Sequence, residues 1–132
     1  MIDYYYEGKM KELELWVLCN TICDKKNMVA IRNLLRRHDV YTIDDLRDRD
    51  LSELARFRTV GEMRLEFIKE MKLTIEDEEK IQSIMDGDSD VRRLRYDKKL
   101  FEKADDLSRA GKSDEKIAEV LGLRIETVRI IT

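Results

Sequence analysis

Basic side chains are dense in one stretch of the chain. Six arginines and lysines lie between positions 92 and 103. Guanidinium and ammonium groups at this density attract polyanions, and they donate well to phosphate oxygens. A helix that carries them would present a basic stripe, although a solvated helix face explains the same pattern. With one further lysine downstream, the expected phosphate contacts are Arg92, Arg93, Arg95, Lys98, Lys99, Lys103 and Lys112.

The last twenty residues, SDEKIAEVLGLRIETVRIIT, meet the requirements of a helix-turn-helix. Two short helices that cross steeply need a small residue where they touch, which is Ala118, and a permissive turn, which is Gly122. Val128 and Ile131 must be apolar, because they seal the second helix onto the core. The expected motif core comprises seven residues: Ile117, Ala118, Leu121, Gly122, Leu123, Val128 and Ile131.

The stretch ADDLSRAGKSDEKIAEVLGLRIETVR resembles the three-helix units of resolvase, sigma-factor and response-regulator DNA-binding domains. The resemblance covers about residues 97–132. In that family the second helix of the motif reads bases in the major groove. Arg124 stands where the family often has a Ser or Thr cap. The resemblance implies base contacts from Arg124, Ile125, Glu126, Arg129 and Ile130.

A second resemblance covers residues 29–71, which look like the C-terminal domain of the bacterial RNA polymerase alpha subunit. The residues that match are Asn33, Arg58, Gly61, Leu65 and Ile68. In that family a helix-hairpin-helix-like element grips the minor-groove backbone, which here implies a hairpin with Arg58, Gly61 and Arg64. The family's DNA-contacting arginine maps to Ala30, and Glu62 opposes a phosphate. We therefore expect the fold to be retained and its DNA contact to be weakened or lost.

The composition favours an all-α protein that positions these residues on helices. Proline is absent, glycine occurs five times, and 42% of the 132 residues are apolar. We expect a helical domain over residues 1–73, an acidic helix and hinge over 74–90, and a helix-turn-helix domain over 91–132. Residues 74–90 hold one lysine and seven acidic side chains, whereas 91–132 hold 11 basic and eight acidic. The net charge of −3 therefore hides a basic C-terminal third.

Local signals predict where the helices begin. Apolar spacing indicates a first helix from Lys9 to Cys23. The preceding tyrosines at positions 4–6 could form a stacking platform, but we expect them to pack over a core edge. Asn27 is the expected N-cap of a second helix, with Val29 among its inward residues. Two further starts resemble capping boxes, Thr42 with Asp45 and Asp50 with Glu53, and Thr74 in Thr74-x-x-Asp77 is the expected cap of the acidic helix.

The stretch DGDSD at residues 86–90 reads as a solvated turn in which Ser89 or Asp90 caps the next helix. One helix is then expected through residues 91–110, ended by Gly111 in the C′ position. Ser113 is the expected cap of the first motif helix.

Other classes of function find little support. The sequence shows no glycine-rich phosphate loop or nucleophile triad, and a single histidine leaves little acid–base chemistry near neutral pH. We expect no enzyme, cofactor or metal. Cys19 and Cys23 share a helical face, but a metal would need two more ligands, so buried free thiols are expected. With no apolar run of membrane-spanning length and no signal segment, we expect a cytoplasmic protein that does not enter a membrane.

Two functional hypotheses follow. The first is a sequence-specific DNA-binding transcriptional regulator of bacterial or phage type, which binds double-stranded DNA as a homodimer or within a larger complex. The second is an adaptor or inhibitor that binds a protein partner such as the transcription machinery and keeps the helix-turn-helix fold as its interaction surface. Under the second hypothesis, Ile125 and Ile130 form an apolar contact.

Overall fold

The computed structural model describes residues 2–56 and 61–132, which form ten helices and no strand. The all-α prediction is therefore confirmed. The first five helices are α1 Ile2–Ile22, α2 Lys25–Arg37, α3 Ile43–Asp48, α4 Leu51–Ala55 and α5 Gly61–Ile75. The last five are α6 Glu78–Asp86, α7 Ser89–Tyr96, α8 Lys98–Arg109, α9 Asp114–Leu121 and α10 Ile125–Ile131. No helix among these residues has the length and apolar character that crossing a membrane requires.

The chain divides into two compact units. The middle unit is Glu14–Met85, and the C-terminal unit combines Met1–Leu13 with Asp86–Thr132. The sequence predicted boundaries at residues 73 and 90. The observed division differs, because the acidic helix α6 groups with the helices before it. Thr74, Ile75 and Met85 are all buried.

The middle unit is built around apolar faces of α1, α2, α3 and α5. In α2 the inward face consists of Asn27, Ile31, Leu34 and Leu35, at helical spacing. Val29 was expected to face inward, but this was wrong: its side chain is exposed because it lies two positions from Ile31 along the helix. Burial of each large apolar side chain contributes about 1.5–3 kcal/mol, so this shared core dominates the stability of the unit.

Several helix starts differ from their expected positions. The first helix begins at Ile2, seven residues before Lys9, and Tyr6 adds a buried side chain one turn before Met10. Helix α2 is capped by Asp24, whose carboxylate accepts from the backbone nitrogen of Asn27 at 2.8 Å. Asn27 is itself inside the helix and buried.

The capping-box predictions had mixed outcomes. The box of Thr42 and Asp45 is confirmed, since both reciprocal hydrogen bonds are present. Before α4, the Asp50 carboxylate accepts from the backbone nitrogen of Ser52 at 3.0 Å. Thr74 is not a cap, because α5 continues through it and its buried hydroxyl donates to the Glu70 carbonyl. The carboxylate of Asp77, which precedes α6, accepts from the backbone nitrogen of Lys80.

In the C-terminal unit, α7 and α8 replace the single helix that the sequence predicts over residues 91–110. The break lies at Asp97, whose backbone leaves the helical region with φ −137° and ψ 88°. Its carboxylate accepts from the backbone nitrogen of Lys99 and so starts α8. The N-cap of α7 is Asp88, not Ser89 or Asp90. An aspartate that can bond to the backbone competes with helix continuation, which explains the break.

The tyrosines of α1 pack on this pair of helices. The buried Tyr6 lies edge-on to Phe101 with ring centres 5.2 Å apart, and its hydroxyl donates to the Leu94 carbonyl at 2.6 Å. Tyr5 also meets the Phe101 ring, whereas Tyr4 is exposed. Packing over a core edge is therefore the role of Tyr5 and Tyr6.

The ends of α8 and α9 follow the sequence signals. Gly111 has φ 84° after α8, and Gly122 has φ 67° after α9, a left-handed conformation that glycine adopts without strain. The hydroxyl of Ser113 accepts from the backbone nitrogen of Lys116, as expected of an N-cap. These three positions were predicted correctly because each depends on a local backbone requirement.

Lys72 caps the C-terminal end of α3 within the middle unit. Its ammonium donates to the carbonyls of Leu46, Arg47 and Arg49. Helix ends leave several carbonyls unsatisfied, and a charged donor satisfies them more strongly than a neutral one.

We expect Lys72→Ala to lower the free energy of unfolding by about 2 kcal/mol, because three carbonyls lose a charged donor. Urea denaturation followed by circular dichroism measures this. Lys69→Ala, which removes an exposed lysine from the same helix, is the matched control and should change stability by less than about 0.5 kcal/mol. Equal effects of the two substitutions would contradict the capping role.

Candidate nucleic-acid interface

Helices α8, α9 and α10 pack against one another around a small core. Ile117, Leu123, Val128 and Ile131 are buried in it, and Ala118 and Leu121 are partly exposed. Gly122 makes the turn between α9 and α10. The seven residues of the expected motif core therefore lie at the junction of the two helices or just beside it.

A buried carboxylate fixes the N-terminus of α10. Asp90, 5% exposed, accepts from the backbone nitrogen of Arg124 at 3.0 Å and from the hydroxyl of Thr127 at 2.6 Å. Arg124 is the N-cap residue of α10, yet its own side chain does not cap the helix. Asp90 on α7 supplies the missing acceptor, and its negative charge suits a helix N-terminus. It is therefore a packing residue and not part of a solvated turn.

Arg124 is held by carboxylates of α7. Its guanidinium lies 2.8 Å from the Asp88 carboxylate and 3.1 Å from that of Asp90. Burial lowers the pKa of Arg124, but the hydrogen bonds and charges of the two aspartates outweigh burial and raise that pKa above its usual value. A base contact from this residue would compete with both ion pairs.

Arg93 caps the C-terminal end of α9, at the turn into α10. Its two terminal nitrogens donate to the carbonyls of Leu121 and Gly122, each at 2.7 Å. These carbonyls belong to the C-terminal end of α9, where a cation is favourable. Arg93 therefore positions the turn, and its donors to those carbonyls are not available to a phosphate.

Arg129 is the most accessible of the expected base-contacting residues that α10 itself carries. Its side chain is 55% exposed and lies 3.9 Å from the Asp114 carboxylate and 3.8 Å from that of Glu115. These are long, exposed ion pairs, which contribute at most about 1 kcal/mol. Ile125, Glu126 and Ile130 are half-buried.

The basic stripe is only partly engaged in intramolecular contacts. Arg95 is half-buried and forms an ion pair with Asp86 at 3.7 Å, and Lys98 lies over the Tyr6 ring. Apart from Arg93, the other lysines and arginines expected to contact phosphate are exposed and show no ion pair within residues 2–56 and 61–132. They are Arg92, Lys99, Lys103 and Lys112.

The middle unit offers less to a nucleic acid. Gly61 begins α5 with φ 70°, exposed Glu62 and Met63 follow it, and Arg64 is half-buried. Arg58 lies outside the described residues. The only hairpin arginine that the structure describes is thus partly covered, and a carboxylate stands beside the glycine.

The two cysteines are free and buried, as expected. Their sulfur atoms lie 3.8 Å apart. The hydrogen bond between the two thiols lowers the pKa of Cys19, while the same bond and burial raise the pKa of Cys23. In the described part of the chain, no group of three or more His, Cys, Asp or Glu side chains is arranged to hold a metal ion.

Comparisons of the chain with protein-family models, with curated proteins and with solved structures found no match.

Asp90 and Arg93 have structural roles that the sequence pattern did not identify. Both contacts join residues about 30 or more positions apart, so no local spacing marks them. One signal was present: Arg124 cannot cap α10 as Ser or Thr would, so an acceptor from elsewhere in the chain was required.

We expect Asp90→Ala to lower the free energy of unfolding by about 3 kcal/mol, because the Thr127 hydroxyl and the backbone nitrogen of Arg124 lose their acceptor. Urea denaturation measures the change. Asp106→Ala, an exposed aspartate on α8, serves as the control and should be nearly neutral. An Asp90 variant as stable as the control would show that the α7–α10 contact is dispensable.

Proposed function

We propose that this protein is a DNA-binding transcriptional regulator of bacterial or phage type, which places α10 in the major groove of double-stranded DNA. The observation that carries the proposal is the α9–α10 junction, with left-handed Gly122 between two short helices sealed by Ile117, Val128 and Ile131. This arrangement fixes a short exposed helix edge, which is what insertion into a groove requires.

The exposed basic side chains would contact two different parts of the DNA, the base edges and the phosphates. Arg129 faces solvent from α10 and can donate two parallel hydrogen bonds to a guanine edge. Arg92, Lys99, Lys103 and Lys112 would contact phosphates, which supply affinity without sequence preference. Binding through four phosphates would give a slope of about −3.6 in log affinity against log salt.

Arg124 and Arg93 have a different role in this proposal. Both use their guanidinium donors within the C-terminal unit, so they shape the reading face without touching bases. Arg124 is a positioning residue for α10.

A single helix-turn-helix makes few contacts and binds modestly, so we propose a homodimer. Two copies of α10 would then meet half-sites about 34 Å apart, one turn of DNA. The middle unit would supply the contact between copies or with the transcription machinery.

A protein-binding adaptor is the second candidate, and the carboxylates beside the reading face favour it. Asp114 and Glu115 flank Arg129, and Glu126 lies on the same helix as half-exposed Ile125 and Ile130. Carboxylates repel phosphates, whereas an apolar centre with a charged rim suits a protein partner.

We expect duplex DNA of random sequence to bind with strong salt dependence and Arg129→Ala to weaken that binding about fivefold to tenfold without changing stability, because Arg129 makes only weak ion pairs. Fluorescence anisotropy at two or more salt concentrations measures the affinity, and urea denaturation measures the stability.

Arg124→Ala provides the comparison, since it should lower stability by about 1–3 kcal/mol through loss of its pairs with Asp88 and Asp90. Salt-independent binding, or full binding by Arg129→Ala, would count against DNA recognition through α10. Capture of a protein partner that Ile125→Ser and Ile130→Ser abolish would favour the adaptor.

A further inference from the structure

An aromatic side chain stands exposed in the most basic part of the molecule. Tyr96, the last residue of α7, is 82% exposed. Six basic and two acidic side chains lie between positions 92 and 103, so the corner where α7 meets α8 is strongly positive. A large exposed ring in such surroundings is not needed for packing.

An open cavity lies at this corner. Its volume is about 420 Å³, and it is lined by Arg92, Arg93, Tyr96, Asp97 and Leu100. Small-molecule sites commonly measure about 300–1,000 Å³, so the space suits a nucleic-acid base. Leu100 adds an apolar wall, and the Asp97 carboxylate, which already accepts from the backbone of Lys99, adds an acceptor.

A hydrogen bond from α1 fixes the corner where α7 meets α8. The Tyr6 hydroxyl donates to the carbonyl of Leu94 at 2.6 Å and approaches that of Arg95 at 3.4 Å, so the last turn of α7 is tied to α1. Burial raises the pKa of Tyr6, so this hydroxyl remains a donor to higher pH than an exposed tyrosine does. The backbone that carries Tyr96 is therefore fixed before any ligand arrives, which reduces the entropy cost of binding.

We propose that the α7–α8 corner is a second nucleic-acid site, which binds a single strand by stacking one base on Tyr96 while Arg92 and Lys99 hold flanking phosphates. Stacking needs a base whose face is open, and a duplex keeps base faces inside its own stack. Aromatic rings beside cationic side chains are the combination that recognises unpaired strands. Charge complementarity favours the phosphate-bearing strand over a neutral or cationic ligand.

This site goes beyond the proposed reading of duplex DNA by α10, although it shares Arg92 and Lys99 with the basic stripe. Duplex binding depends on Arg129, whereas strand binding depends on Tyr96. The two activities can therefore fail separately.

The test uses the full chain and a thymine homopolymer of about 20 nucleotides, which cannot pair with itself and exceeds the roughly 4–16-nucleotide sites of known strand-binding folds. Fluorescence anisotropy should show binding that Tyr96→Ala weakens about tenfold and that Tyr96→Trp preserves. Tyr4→Ala is the matched control, because Tyr4 is 86% exposed and does not line the cavity. It should bind as the wild-type chain does.

Equal binding by Tyr96→Ala and the wild-type chain would overturn the proposal, as would equal losses in the Tyr96 and Tyr4 variants. If the wild-type chain binds duplex DNA but not the thymine strand, this site is refuted and the proposed function stands. Strand binding without duplex binding would support this site and refute the reading of duplex DNA by α10.

Discussion

The buried carboxylate of Asp90 holds the geometry on which the rest of the C-terminal unit depends. It accepts from the backbone nitrogen of Arg124 and from the Thr127 hydroxyl, so it ties the start of α10 to α7. Without it, a seven-residue helix would begin with unsatisfied donors next to an apolar core. The start of α10 is therefore fixed by a helix that precedes the three-helix unit in sequence.

This constraint changes how the arginines are interpreted. In the sequence, Arg93 is indistinguishable from other basic residues that could contact DNA, and Arg124 differs only in standing where a Ser or Thr cap is common. In the fold, one satisfies the carbonyls at the end of α9 and the other pairs with Asp88 and Asp90. Fewer basic side chains are therefore available to bind a polyanion than the sequence contains. The available ones are Arg129 and the exposed part of the stripe.

The sequence-based predictions were correct where a feature depends on neighbouring residues and wrong where it depends on tertiary contacts. Ser113, Gly111 and Gly122 were placed correctly, because a cap or a left-handed turn is set by the residue and its immediate neighbours. Asn27 and Thr74 were misassigned as caps, because tertiary burial favours keeping them inside helices and Asp24 and Asp77 were available nearby. The break at Asp97 was missed because apolar spacing continues across it.

The candidate site shows the same limit. Its exposed cations and its four buried apolar residues, Ile117, Leu123, Val128 and Ile131, could be named from spacing alone, since both depend on helical periodicity. The long-range bonds of Asp90 and Arg93 could not, and neither could the corner at Tyr96, which exists only because two helices meet there. Spacing along one helix carries no information on which side chains another helix will engage.

We propose that the C-terminal unit binds DNA through α10 and the basic stripe. Backbone amide NMR shifts of the isotope-labelled chain, recorded while duplex DNA is added, test it most directly. Binding through α10 would shift the amides of Arg129, of its neighbours on α10 and of the exposed stripe residues, and would leave the middle unit unchanged. Shifts confined to the middle unit, or none at a concentration that saturates binding, would contradict it.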